Sequence, residues 1–171
     1  MDPKDPVQAG LEAYMSGMQR SFPISEALAD SVAGWAVATE EFVVYRGQPK
    51  NTKDPKTPLP LQLDYRNRPF FSTTLGLDVA KRFAEYATPK GDVLKITVKP
   101  GIRYRQVSKD YEAEILIAAD GVAEYGEKKV RVADKDLGIW GMAWPVTYSP
   151  RPPKPTGGRR KTRRRSLRRR G

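Results

Sequence analysis

The run Tyr111-Glu112-Ala113-Glu114-Ile115-Leu116-Ile117 limits the possible folds of this chain more than any other stretch. It sets two acids into an otherwise apolar, β-prone segment. As an extended strand over Glu112–Ile117, its side chains alternate faces. Glu112 and Glu114 then point the same way, about 7 Å apart along the strand, and Ala113, Ile115 and Ile117 face a core. Folding alone asks for no pair of acids on one side of such a strand, because near carboxylates repel. The plain structural alternative is a solvated edge-strand face.

Composition narrows the chemistry. The 171 residues are one ordinary domain plus extra chain, long enough to bury a core. No run of eighteen apolar residues occurs, so no membrane span or membrane partner is expected. The start, Met1-Asp2-Pro3-Lys4-Asp5-Pro6, has no apolar stretch behind it, so a non-secreted, intracellular protein is expected. Cysteine and histidine are both absent. That removes disulfides, thiolate zinc sites, thiol nucleophiles, a Ser-His-Asp triad and a histidine base. Acid–base work falls to Asp, Glu, Lys or Tyr. The net charge of +11 is localised. Eleven of the 31 basic residues lie in Arg151–Gly171 without one acid, so the twenty others balance the 20 acids of residues 1–150.

Along the chain, apolar residues at Val7, Leu11, Tyr14, Met15 and Met18 predict a first helix over 7–20. Leu28, Val32, Trp35 and Ala36 predict a second over Ser25–Thr39, with Ser25 as N-cap. Their Met and aromatic positions read as core. Glu41–Gly47 reads as the first strand, 48–69 as a proline-rich loop, and Phe70–Thr74 as a short strand. Leu75–Ala87 follows as a helix with Leu75, Val79, Phe83 and Ala87 on one face. Strands are expected over Asp92–Val98, closed by Pro100-Gly101, and over Ile102–Val107. Lys128–Val132 reads as the hairpin partner of the Glu-x-Glu strand across a turn at Gly121–Gly126. Ala143–Tyr148, with Pro145, reads as a last edge strand. Helices first and strands afterwards indicate an α+β domain. The expected division is a helical part at 1–40, a core at 41–149, and a linker with tail at 150–171.

Three motifs stand in order: Tyr45-Arg46-Gly47 ending a strand, Phe71-Ser72-Thr73-Thr74, and Glu112-Ala113-Glu114. Over about residues 42–148 this pattern resembles the ADP-ribosyltransferase superfamily, in the toxin-like branch marked by Arg, then Ser-Thr-Ser, then Glu-x-Glu. The resemblance implies two packed, mostly antiparallel β-sheets behind the N-terminal helices, and NAD as substrate with no metal. It implies that Arg46 engages NAD on its phosphate and ribose side, and that Gly47 lets its backbone approach the nicotinamide carboxamide. Ser72 would hydrogen-bond the catalytic Glu and the nicotinamide ribose, with Thr73 and Thr74 supporting the strand. Glu114 would hold the ribose 2′-hydroxyl as the glycosidic bond breaks, a carboxylate gaining strength as positive charge develops. Glu112 would bind the acceptor, an arginine in this branch, and take its proton. Phe83 would stack on nicotinamide, although its helical spacing favours core packing; Tyr45 and Phe71 read as core. Two departures stand out: Thr74 replaces the usual Ser, and Lys109 and Tyr111 replace the aromatic and Gly that relatives carry before the Glu pair, in a loop that helps choose the acceptor.

Ser149–Gly158 is a Pro-rich linker ending in two glycines. Arg159, Arg160, Lys161, Arg163, Arg164, Arg165, Arg168, Arg169 and Arg170 follow in a tail that cannot fold alone. Such a run binds nucleic-acid phosphates without reading sequence, or directs a protein to the nucleus. The reading is therefore a mono-ADP-ribosyltransferase acting on protein arginine and held near nucleic acid. A transferase acting on a nucleic acid base is a near variant. The alternative from another class is a nucleic-acid-binding structural or virion protein on an inactive form of the fold. The intact Arg46, Ser72 and Glu114 set counts against it.

Overall fold

A computed structural model describes residues 5–15, 26–107 and 113–153. Residues 16–20 of the expected first helix, Ser25, residues 108–112 and Lys154–Gly171 lie outside the described residues. The chain opens with helix α1 (Pro6–Met15) and helix α2 (Glu26–Ser31), extended by a 3-10 turn at Val32–Gly34. The second helix is shorter than its apolar spacing predicts. Gly34, the poorest helix former in that stretch, ends it, Trp35 turns extended, and Ala36–Val37 forms strand β1. Leu11, Tyr14, Leu28, Val32 and Trp35 are buried against Phe70, Leu116 and Ala118, so this helical layer is a lid on a sheet.

The sheet comprises β1 with β2 (Phe42–Gln48), β3 (Phe70–Thr74), β4 (Asp92–Val98), β5 (Arg103–Gln106), β6 (Glu114–Ala118), β7 (Gly121–Tyr125), β8 (Val130–Asp134) and β9 (Ile139–Pro150). Helix α3 (Leu77–Tyr86) sits between β3 and β4 in the chain. Strand order is β1-β5-β6-β3-β2-β4-β9-β7, with β8 also on β9, and among the described residues only the β4–β9 pairing is parallel. Two halves are apparent. The β1-β5-β6-β3 half meets the β2-β4-β9 half through one pairing, Tyr45 with Thr74. Val44, Leu94, Ile96, Val98, Val146 and Tyr148 of one half pack on Phe71, Ile115 and Ile117 of the other. The expected pair of packed sheets is thus present as two facing layers joined at a single point into one sheet of nine strands among the described residues.

Strand alternation places the site. On β3 and β6, Phe71, Ile115 and Ile117 face the central core, while Phe70, Leu116 and Ala118 face the helical lid. Ser72, Thr74 and Glu114 share the lid-side face, since Ser72 pairs with Leu116 and Thr74 with Glu114.

Three sequence expectations change. Gly121–Gly126 is not a turn: Gly121–Tyr125 is a strand paired with β9, and its first glycine is needed because a Cβ there would lie 2.6 Å from the Tyr148 ring. β8 pairs with β9, whereas the partners of β6 are β3 and β5. Finally, β9 is an internal strand. Pro145 is tolerated because it falls where the neighbour of β9 changes from β8 to β7; its carbonyl accepts from Gly126 N at 2.8 Å, and no ladder bond there needs its missing N–H.

Candidate active site

The cleft forms where β2 and β3 part. Beyond the Tyr45–Thr74 pairing, β2 continues only against β4, with Arg46 opposite Leu94 and Gly47 opposite Val93. Arg46 bridges the gap: its Nη1 donates to the Ser72 carbonyl at 2.8 Å, where a ladder bond would otherwise stand. Its Nε is enclosed and has no hydrogen-bond partner among the described residues. Burial pushes the Arg46 pKa below its ordinary value, with the Tyr14 phenol a smaller opposing influence. An arginine stays protonated through such a shift. A desolvated cation with a spare donor and no ion-paired carboxylate among the described residues is costly unless an anion completes it.

Gly47 has a packing role that its sequence motif does not reveal. A Cβ there would lie 2.0 Å from the Ala80 carbonyl oxygen and 2.6 Å from Ala84 N, so α3 rests directly on the β2 backbone. The helix buries Leu77, Val79, Ala80 and Ala84. Of the predicted face, Val79 is buried as expected, Ala87 is half-buried, and Leu75 and Phe83 are exposed. Phe83 is 45% exposed, against the expectation of core packing, and stands with Val79 in the wall of the cleft. Phe71 is buried as expected, and Tyr45 is half-buried and lines the cleft.

On the other wall, Ser72 Oγ donates to Glu114 Oε1 at 2.7 Å. Glu114 is only 5% exposed. The Thr73 hydroxyl donates to the Ile115 carbonyl at 2.8 Å, and the Thr74 hydroxyl accepts from Gly76 N at 3.0 Å. Thr73 thus ties β3 to β6, and Thr74 the turn into α3.

Strand β6 begins at Glu114, not at Glu112. Ala113 has φ +39°, a left-handed conformation unfavourable for a residue with a Cβ. It is held by Leu75 N, which donates to the Ala113 carbonyl at 3.3 Å. The extended strand expected over Glu112–Ile117 is therefore interrupted at Ala113. Glu112 itself lies outside the described residues, as do Arg159–Arg170.

The three motifs thus converge. A cavity of about 130 Å3 is lined by Arg46, Gly47, Ser72, Thr73, Thr74 and Glu114, with Tyr45, Val79 and Phe83 completing the wall. A larger one of about 590 Å3 continues past Arg46 and Ser72 and is lined by Tyr14, Gln48, Leu59, Arg68 and Phe70 among others. The sequence motifs do not single out Gln48, Arg68, Tyr14 or Val79. Gln48 alone had a signal, lying two residues after Arg46 and so on the same strand face; it is buried and donates to the Leu59 carbonyl.

No family model and no curated protein matches the sequence. Solved structures do resemble the fold. C3larvin toxin, an ADP-ribosyltransferase from Paenibacillus larvae, superposes with a TM-score of 0.51 at 11% identity over 85% of this chain and 95% of that one. Plx2a, an ADP-ribosyltransferase toxin of the same organism, gives 0.49 at 11% identity over 85% and 86%. The ADP-ribosylating toxin BECa of C. perfringens, solved with NADH, gives 0.49 at 13% over 86% of this chain and 44% of that one. The chain shares the fold of C3larvin toxin, and Arg46, Ser72 and Glu114 of its three sequence motifs meet in one cleft of that fold.

Proposed function

We propose that this chain transfers ADP-ribose from NAD, its substrate, to an arginine side chain of an acceptor protein. The observation that supports this best is the meeting of Arg46, Ser72 and Glu114, from three separate strands, in one cavity. NAD fits the groups present. Arg46 offers a buried cation with an unused Nε donor to a diphosphate. Gly47 presents backbone rather than side chain to the cavity, and Phe83 offers an exposed ring to nicotinamide.

NAD brings a glycosidic C–N bond whose leaving group, nicotinamide, departs without metal help. The chain's residues do the rest. Ser72 fixes the Glu114 carboxylate through its 2.7 Å hydrogen bond, so that the carboxylate is already oriented toward a ribose hydroxyl. The buried setting strengthens its attraction to positive charge developing on the sugar. Glu112, two residues earlier, pairs with the acceptor guanidinium and takes its proton as the new C–N bond forms. The basic segment Arg159–Arg170 binds nucleic-acid phosphates and keeps the enzyme where nucleic-acid-bound proteins are its targets.

The test is nicotinamide release from NAD with and without agmatine, a small guanidine, for wild type and Glu112→Gln. Release that rises with agmatine in wild type but not in Glu112→Gln supports arginine as acceptor and Glu112 as its base. Release indifferent to agmatine and stimulated by DNA or RNA moves the acceptor to a nucleic acid base. Absence of release and of NAD binding in a folded protein would leave a nucleic-acid-binding protein on an inactive form of this fold.

A further inference from the structure

A cavity of about 340 Å3 opens on the strand face opposite Glu114. Phe42, Tyr104, Leu75 and Ile115 make it apolar, and Glu40 and Glu41 stand at its rim. The Phe42 and Tyr104 rings lie 5.0 Å apart, tilted by 58°. Glu41 pairs with Lys99 Nζ at 2.7 Å between two exposed side chains, a contact worth little in water. Glu40 has no ion-pair partner among the described residues. Carboxylates beside aromatic rings suit a guanidinium, which can stack and pair at once; they suit an acidic or neutral partner poorly.

The sheet register brings the outgoing chain to this place. Phe42 pairs with Val98, and Val98 with Tyr148. The end of β9 therefore runs two strand spacings, about 10 Å, from the start of β2. Lys99 N donates to the Tyr148 carbonyl at 2.9 Å, and Gly101 N to the Ala38 carbonyl at 2.8 Å, which ties the exit to the cavity wall. A Cβ on Gly101 would sit 2.8 Å from Pro150 Cγ, so the last residues of β9 lie directly on that turn. Beyond Pro153, the segment Lys154–Gly171 carries ten Lys or Arg and no acid. Its first arginine after the linker, Arg159, is six residues on, a reach of up to roughly 20 Å.

We infer that the cavity bounded by Glu40, Glu41, Phe42 and Tyr104 is a docking site for an arginine of the chain's own segment Arg159–Arg170. The same arginines bind phosphate, so nucleic acid and the cavity compete for them, and nucleic acid releases the docked segment. This inference is independent of NAD chemistry.

The chain has no cysteine, so Ser166→Cys supplies a single thiol for a nitroxide label on the full-length protein. At low salt, the amide signals of Glu40–Phe42 and Tyr104 should be lost to paramagnetic broadening. With Glu40→Gln and Glu41→Gln together, the tether is unchanged but these signals should return. They should also return in about 1 M salt, where the screening length shrinks to about 3 Å. Both glutamates are exposed, so the double variant should keep its fold. Identical broadening with and without the two substitutions, or broadening centred on another surface, would overturn the inference. So would broadening seen only between labelled and isotopically marked copies mixed together, since the occupant would then be a second chain.

Discussion

Ser72 and Glu114 lie 42 residues apart in sequence, and their side chains meet in a 2.7 Å hydrogen bond across adjacent strands. The register offsets them diagonally, since Ser72 pairs with Leu116 and Glu114 with Thr74. They share one strand face at the rim of the cleft, where the apolar cluster under the helical lid gives way to polar groups.

Removing that donor separates orientation from binding. Ser72→Ala leaves the Arg46 bond intact, because that bond ends on the Ser72 backbone carbonyl. Nicotinamide release should fall about 10²-fold, while NAD affinity changes far less. Urea unfolding should show a cost of about 1 kcal/mol, typical of one hydrogen bond.

The two glycines Gly47 and Gly34 should respond oppositely to the same change. Gly47→Ala drives a Cβ into the Ala80 carbonyl and should cost roughly 3 kcal/mol or more, displacing α3 and with it the Phe83 wall. Gly34 has nothing within 4 Å of a built Cβ, so Gly34→Ala should be neutral or stabilising by up to about 1 kcal/mol. Paired denaturation curves check both.

Arg46 should be a residue that the fold tolerates and the reaction needs. Arg46→Met removes a desolvated cation and should leave stability unchanged or raise it by about 1 kcal/mol or more, while abolishing NAD turnover. Arg46→Lys keeps the charge but loses the planar fork. Its KM for NAD should rise about tenfold, the loss of one charge-assisted hydrogen bond of about 1.5 kcal/mol. Thermal melts and initial rates on the three proteins decide this.

Tyr148 sets an alkaline limit. Its hydroxyl donates to the Ala118 carbonyl and accepts from Gly121 N, and burial holds its pKa well above the ordinary tyrosine value of 10.0. The neutral phenol is favoured in the folded state. Its stabilisation is therefore complete below pH 10 and is lost as pH rises from there toward the folded pKa. Tyr148→Phe should be less stable at neutral pH by about 1–3 kcal/mol, because two buried backbone groups lose their partner. Its stability should also fall less steeply above pH 10 than that of wild type.

Much of this architecture is legible in the sequence because its signals are local. The Ser-Thr-Thr strand and the strand from Glu114 onward carry their own alternation, and Ile115 and Ile117 face the core as expected. The missed features depend on contacts between distant segments. Gly47 is a glycine because a helix that starts thirty residues later lies on it. That close approach selects Leu77, Ala80 and Ala84 as the buried face of α3 and frees Phe83 for the cleft. Gly121 resembles a turn residue but makes room for the Tyr148 ring. Pro145 suggests an edge strand, yet the change of partner from β8 to β7 occurs at that residue. The kink at Ala113 has no sequence signature, and with it the strand starts at Glu114.

The most direct measurement compares nicotinamide release from NAD by wild type and Glu114→Gln, with NAD binding measured on both by calorimetry. Glu114 is the buried carboxylate that Ser72 orients in the cleft. If it stabilises positive charge on the ribose, Glu114→Gln should bind NAD within a few-fold of wild type and release nicotinamide about 10²- to 10³-fold more slowly. Equal release by both proteins would contradict the assignment of this cleft as the reaction centre.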